Sequence, residues 1–188
     1  MAMIQKIVVA MLLFTGSLFA TTQMTVDSSH SSVGFEIRHM MISTVGGGFN
    51  SYEGHLSMDL DSKDITALHA TIDTKSIDTA NDRRDEHLRD PDFFDVEKYP
   101  EITFEMTQYR AGKMVGDLTI KDVTREVELD TKVTGVITDR GTTRAGIELR
   151  GTIERDAFGI TYNRALEVGG VAIGNDVRLI INIQAVTD

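Results

Sequence analysis

The chain lacks cysteine and tryptophan, and it has only two prolines among its 188 residues. Without cysteine, disulfides, thiol catalysis and cysteine-ligated zinc are excluded. Both prolines, Pro91 and Pro100, lie in one short segment, so the rest of the chain is free of the residue that most interrupts a sheet. Basic residues are also scarce, 19 against 29 acidic ones, and the net charge of −10 opposes binding to nucleic acid or to an anionic lipid surface.

An apolar run near the start is typical of a secretory signal peptide. Lys6 precedes residues 7–20, which are mostly apolar and end in small residues at Ala20. The alternative is a membrane anchor, but the run is shorter than the roughly 20 residues that span a bilayer, and no charged segment follows it. We therefore predict a signal peptide over residues 1–20, a domain over residues 21–188, no permanent membrane anchor, and a periplasmic or secreted location in a bacterium.

Apolar and polar residues alternate with period two along most of the remaining chain. The alternating segments lie at residues 33–39, 56–60, 68–73, 102–107, 118–120, 126–130, 147–154 and 177–184. Strands with one apolar face form two packed sheets or close on themselves, and closure removes the exposed edges. We predict an all-β fold with a short helical segment: an eight-stranded antiparallel barrel with an apolar interior tunnel. The alternative is a barrel that its own side chains fill completely.

Two segments break the alternation. Residues 79–89 predict a short helix, with Thr79 as the N-cap and Pro91 as the stop. Residues 41–49 predict either a short helix or a bend, since Gly46-Gly47-Gly48 lacks the neighbouring residues that a phosphate-binding loop requires. Between the prolines, Phe93 and Phe94 indicate an aromatic plug or a lid over one end of the barrel.

Candidate catalytic and metal-binding groups are weakly supported. The five histidines show no pair at a metal-binding spacing, which leaves only a folded set of His30, His39 and His87 with a carboxylate. His39 continues an inward strand face and is interpreted as a hydrogen-bonded interior histidine. Asp85, close to Arg84 and His87, is interpreted as a member of a structural ion pair. We predict no catalytic residue, no metal and no cofactor.

A series of ordered motifs resembles the YceI-like family of exported, lipocalin-like barrels that bind polyisoprenoids and other long-chain amphiphiles. The motifs span nearly all of residues 21–188, and they are Asp27–Phe35 with Ile37–His39, Val45–Phe49 with Gly54, Ser76–Thr79, Arg84–Leu88, Asp92–Val96, Tyr99–Phe104, Gly116–Thr124 and Arg155–Gly159.

The resemblance implies an exported protein that holds a long-chain amphiphile in its barrel as a carrier, store or scavenger. The ligand would be a polyisoprenoid, an isoprenoid quinone, a fatty acid or a fatty amide. The residues expected to bind it face the barrel interior or its mouth; they are Phe35, Ile37, His39, Ile42, Asn81, Arg84, His87, Leu88, Phe93, Phe94, Phe104, Met106, Leu118, Ile120, Leu149 and Leu179. The alternatives are a quinone-linked redox or stress-response accessory and an enzyme using His and Asp at the mouth. Family members are often dimers, so a homodimer stays open.

Overall fold

The computed structural model describes residues 21–167 and 169–187, so the predicted signal peptide lies outside the described residues. The strands are β1 (Thr21–Val26), β2 (Ser32–His39), β3 (Ser43–Phe49), β4 (Tyr52–Asp59), β5 (Ile65–Asp73), β6 (Ile77–Asp78), β7 (Glu101–Arg110), β8 (Lys113–Ile120), β9 (Val123–Asp139), β10 (Thr142–Glu154) and β11 (Ile173–Val186). Helix α1 comprises Asp82–Arg89, and three 3-10 turns comprise Ser28–His30, Thr74–Ser76 and Arg155–Phe158. Across these two ranges, no helix is long and apolar enough to span a membrane.

The strands close into an antiparallel ring in the order β1-β4-β5-β7-β8-β9-β10-β11. Strand β11 completes the ring, because its residues Ala185 and Val186 pair with Val26 and Thr25 of β1. The earlier part of β11 pairs with β2, which continues through β3 to β6 and forms a side sheet beside the ring. The predicted eight-stranded antiparallel barrel is therefore confirmed.

The barrel interior is packed at one end and open at the other. The half away from α1 holds apolar side chains with almost no exposure, including Met24, Leu56, Met58, Leu68, Met114 and Ile147. Burial of each such side chain contributes about 1.5–3 kcal/mol. Towards α1, inward positions of β2 and β11 such as Phe35 and Leu179 are only half-buried, because they face a cavity. The two predicted alternatives, a hollow interior and a filled one, thus each describe one end of the barrel.

Residues 43–49 form a strand, so the prediction of a helix or bend over residues 41–49 is wrong. Strand β3 pairs with β2 in a hairpin, with Gly47 opposite Phe35 and Gly48 opposite Gly34. Gly47 is needed for packing: a Cβ on Gly47 would lie 2.7 Å from both the Phe35 ring and the Thr79 methyl group. The absence of a side chain at Gly47 makes room for the Phe35 ring.

Helix α1 begins at Asp82, and its N-cap is Asn81, two residues after the predicted cap Thr79. The Asn81 side chain accepts a hydrogen bond from the backbone N–H of Arg84 at 3.0 Å. The predicted cap, Thr79, uses its hydroxyl to contact Asp85 and Arg84 instead. The helix ends at Arg89, before Pro91, as the proline predicts.

Candidate ligand-binding site

An apolar cavity of about 340 Å³ lies inside the barrel beneath α1. This volume is within the range of roughly 300–1,000 Å³ that is usual for small-molecule sites. Its wall is formed by inward side chains of β2, β3, β8 and β11, with α1 and the segment that follows the helix across one end. The cavity reaches the surface between the β2–β3 hairpin and the loop before β11, where His39 and Tyr162 both line it and are exposed.

Most of the residues that the sequence predicts as ligand-binding lie together on this cavity. Those in its wall are Phe35, Ile37, His39, Arg84, His87, Leu88, Phe93, Phe94, Leu118, Ile120 and Leu179. They come from three strands, the helix and the segment between the two prolines, so only the closed fold brings them together. Their role in binding stays a prediction.

Five predicted residues lie outside the cavity wall. Phe104 and Leu149 are buried in the barrel core, and Met106 packs against that core. Ile42 is 83% exposed at the tip of the β2–β3 hairpin, and Asn81 is occupied as the cap of α1. The alternation assigned the first three correctly to the inward face, but it carries no information about depth along the barrel.

Aromatic side chains connect the segment between the prolines to the rest of the cavity wall. Phe94 packs edge-on against Phe49, with ring centroids 5.9 Å apart, and Phe49 lies 6.1 Å from Phe35. On the other side, the rings of His87, Phe93 and Tyr162 lie 5.0–5.1 Å from one another. The segment therefore closes the α1 end of the cavity by packing on both the side sheet and the loop before β11.

A compact polar network lies behind this apolar wall, centred on Thr79. The Thr79 hydroxyl donates to the buried carboxylate of Asp85, which also accepts from the Thr79 backbone N–H at 2.9 Å. The same hydroxyl accepts a hydrogen bond from Nε of Arg84 at 2.7 Å. Asp85 makes no ion pair with a described residue, so its interpretation as an ion-pair member is wrong; Thr79 supplies its hydrogen bonds instead.

Arg155 is a cavity-lining residue that the sequence interpretation missed. It is 7% exposed and donates through Nε to the Gly174 carbonyl and through Nη1 to the carbonyls of Ile160 and Tyr162. Burial lowers the pKa of its guanidinium. The signal was present, because Arg155 continues the inward face of Leu149 and Ile153 on β10, and a charge on an apolar face marks a special position.

The histidines do not converge. His30 bonds to Asp27 at 2.7 Å near β1, while His87 bonds to Asp92 at 3.1 Å beside the cavity. His39 is exposed at the cavity mouth, which corrects its interpretation as a hydrogen-bonded interior residue. In the ranges 21–167 and 169–187, no three His, Asp or Glu side chains are grouped to hold a metal ion.

Comparison with known proteins agrees with this architecture. The model of the YceI-like domain family matches residues 24–185. The chain belongs to the YceI-like family. A UPF0312 protein of Staphylococcus aureus is 42% identical over 159 residues, which cover 84% of this chain and 93% of that protein.

Solved structures of YceI-like proteins share the fold. The YceI protein of Campylobacter jejuni superposes with a TM-score of 0.72 at 35% identity, over 86% of this chain and 96% of that one. A polyisoprenoid-binding domain from Saccharophagus degradans superposes with a TM-score of 0.62 at 13% identity, over 88% of this chain and 98% of that one. At that identity, the second likeness shows the fold alone.

Proposed function

We propose that this YceI-like protein binds one long-chain amphiphile, with the apolar tail in the cavity and the polar end towards the mouth, and catalyses no reaction. The observation that carries the proposal is the cavity wall: apolar side chains from β2, β8 and β11 surround it, and its charged and histidine side chains come from the end of β2, from α1 and from Arg155. Membership of the family and the polyisoprenoid-binding activity of the S. degradans domain support the same ligand class.

The energetics favour a long tail over a short one. Each buried methylene contributes about 0.8 kcal/mol, so a tail of about ten carbons gains roughly 8 kcal/mol before costs. Association costs on the order of 4–15 kcal/mol, so a short tail would not be held. Affinity should therefore rise with tail length until the cavity is full.

We further propose that the protein is exported and acts as a carrier, store or scavenger outside the cytoplasm. The pattern of residues 1–20 supports export. Strand β1 begins at Thr21, so removal of residues 1–20 would leave every described strand of the barrel in place.

Native mass spectrometry and fluorescence titration with long-chain amphiphiles test the binding. We expect one bound molecule per chain. Val177 lines the cavity, so Val177→Trp directs an indole into it. If the indole displaces about two methylenes of the ligand tail, the affinity should fall roughly tenfold. Arg178→Trp is the matched control, because Arg178 is exposed on the outer face, where it forms an ion pair with Glu36. Since the chain has no tryptophan, each indole is also a unique fluorescent reporter.

Two results would contradict the proposal. Amphiphiles of every tail length could fail to bind to the purified protein, or Val177→Trp and Arg178→Trp could weaken binding equally. Fractionation of cells that express the full chain tests export separately, and retention of the uncleaved protein in the cytoplasm would contradict it.

A further inference from the structure

The charges that line the cavity are of one sign. Three arginines, Arg38, Arg84 and Arg155, contribute to the wall, and among the described residues no aspartate or glutamate does. This is unexpected in a chain with 29 acidic and 19 basic residues. The local excess of positive charge therefore belongs to the cavity and not to the protein as a whole.

Arg84 is held in place with one end of its guanidinium free. Its Nε and Nη2 donate to the hydroxyl and the carbonyl of Thr79, both at 2.7 Å. Asp85 offsets part of its charge through the shared Thr79 hydroxyl, but no carboxylate in the described part of the chain forms an ion pair with it. Its Nη1 makes no hydrogen bond to any described residue and remains available to a ligand.

Arg155, in the turn that follows β10, shows the same arrangement. Its Nε donates a hydrogen bond to the Gly174 carbonyl in β11, and its Nη1 donates to the Ile160 and Tyr162 carbonyls in the loop before β11. These bonds hold the loop against the strand. Within residues 21–167 and 169–187, its Nη2 has no hydrogen-bond partner, and neutral carbonyls are its only acceptors. A buried cation without an anionic partner is costly, and a ligand anion would relieve that cost.

Contacts between α1 and the loop place the two arginines at the same end of the cavity. His87 lies one helical turn after Arg84, and its ring packs 5.0 Å from that of Tyr162. The Tyr162 carbonyl is one of the acceptors of Arg155. The polar end of a ligand at this position would thus meet both guanidinium groups.

We propose that the ligand of this cavity carries an anionic headgroup, a carboxylate or a phosphate, bound by Nη1 of Arg84 and Nη2 of Arg155. The proposal rests on the proposed function and narrows it to acidic amphiphiles. Guanidinium groups suit both anions, because their N–H groups form charge-assisted hydrogen bonds in a planar fork. Neutral amides, alcohols and quinones of equal tail length would bind more weakly.

Titration calorimetry with ligands of matched tails tests the proposal. Hexadecanoic acid, hexadecanamide and hexadecanol share one tail, while farnesyl phosphate and farnesol share another. At neutral pH the carboxyl group is ionised, and we expect each anion to bind roughly 10- to 100-fold more tightly than its neutral partners. Two ratios of affinity are then compared, that of hexadecanoic acid to hexadecanol and that of farnesyl phosphate to farnesol. The larger ratio identifies the headgroup that the site prefers.

Substitutions at neighbouring positions of α1 provide the matched controls. Arg84→Gln should weaken binding of the anion roughly tenfold and leave the amide within about twofold. Arg83→Gln removes the same charge from an exposed neighbour outside the wall and should change neither. Arg155→Lys keeps the charge but loses the fork, and it should also weaken binding of the anion selectively; unfolding curves show whether each variant is folded.

The outcomes separate this proposal from the one on which it rests. If the amide and alcohol bind as tightly as the acid, and the phosphate as weakly as farnesol, the anionic headgroup is overturned while amphiphile binding stands. An equal loss of anion and amide affinity in Arg84→Gln would also overturn it. If none of the five ligands binds, the proposed function itself fails.

Discussion

Adding one methyl group to Gly47 should destabilise the protein, whereas adding it to the neighbouring Gly46 should not. A Cβ on Gly47 would lie 2.7 Å from the Phe35 ring and 2.7 Å from the Thr79 methyl group. Ordinary carbon contacts are about 3.5–4.0 Å. At Gly46 the nearest atom is the Phe35 carbonyl oxygen at 3.9 Å, so a Cβ fits there without strain.

The two substitutions share the strand, the chemistry and the loss of glycine flexibility, so their difference isolates the contact. Overpacking destabilises a fold by about 1–3 kcal/mol, whereas replacing a glycine within a strand by alanine stabilises it by about 0.5–1 kcal/mol. Gly47→Ala should therefore lie about 1–3 kcal/mol below Gly46→Ala in unfolding free energy. For a chain of this size, the melting temperatures should differ by roughly 2–12 °C.

Urea unfolding followed by circular dichroism measures the difference directly. Gly46→Ala should be as stable as the unsubstituted protein or slightly more stable. Equal stability of the two variants would refute the argument that position 47 is glycine in order to accommodate the Phe35 ring. A secondary effect on the cavity is expected, because Phe35 lines it and a displaced ring would change its shape.

Two other predictions concern the ends of the barrel. Hydrogen bonds from the Ser29 hydroxyl and then from His30 lower the pKa of Asp27 from 3.8 to about 2. The stabilisation that the ionised Asp27 contributes is complete above pH 3.8 and is lost as the pH falls through about 2. In urea unfolding, the difference in stability between the protein and Asp27→Asn should therefore disappear over that interval. A difference that stays constant would contradict this. Asp85→Ala leaves the buried Thr79 N–H without its acceptor and should cost about 1–3 kcal/mol. Exposed Glu86→Ala in the same helix should stay within about 0.5 kcal/mol in the same assay, and equal losses would refute the role of Asp85.

The sequence predicted the barrel well because alternation reports directly on which face of a strand is buried. Strand β3 was missed for the same reason: Gly46, Gly47 and Gly48 have no side chains and so leave no alternating pattern. The choice of Thr79 as the helix cap failed because Thr79 and Asn81 are both good caps locally. Only the tertiary contacts of Thr79 with Arg84 and Asp85 distinguish them.

The sequence predicted that the candidate site is an apolar barrel interior, but it did not predict how far along the barrel each inward residue lies. Leu118 and Leu149 have the same pattern in the sequence and both are buried, yet Leu118 lines the cavity and Leu149 does not. Their difference depends on strand register and on how far α1 covers the opening, which are properties of the whole fold. Tyr162 comes from a segment that pairs with no long strand, so periodicity could not place it, whereas Arg155 continues the inward face of β10 and could have been recognised.

The closure of the ring by β11 has a consequence for the order in which the chain can fold. On one edge of β11, residues 185 and 186 pair with β1 and residues between 173 and 182 pair with β2, while on the other edge residues 176–186 pair with β10. A nascent chain that lacks β11 would expose the hydrogen-bonding edges of three strands at once, and such edges invite pairing with other chains. Because these partners are far apart in sequence, folding should be slow and should follow synthesis of the final strand. A chaperone would therefore meet this protein as an open, edge-exposed sheet, and deletion of the β11 segment should convert a folded barrel into an aggregating polypeptide.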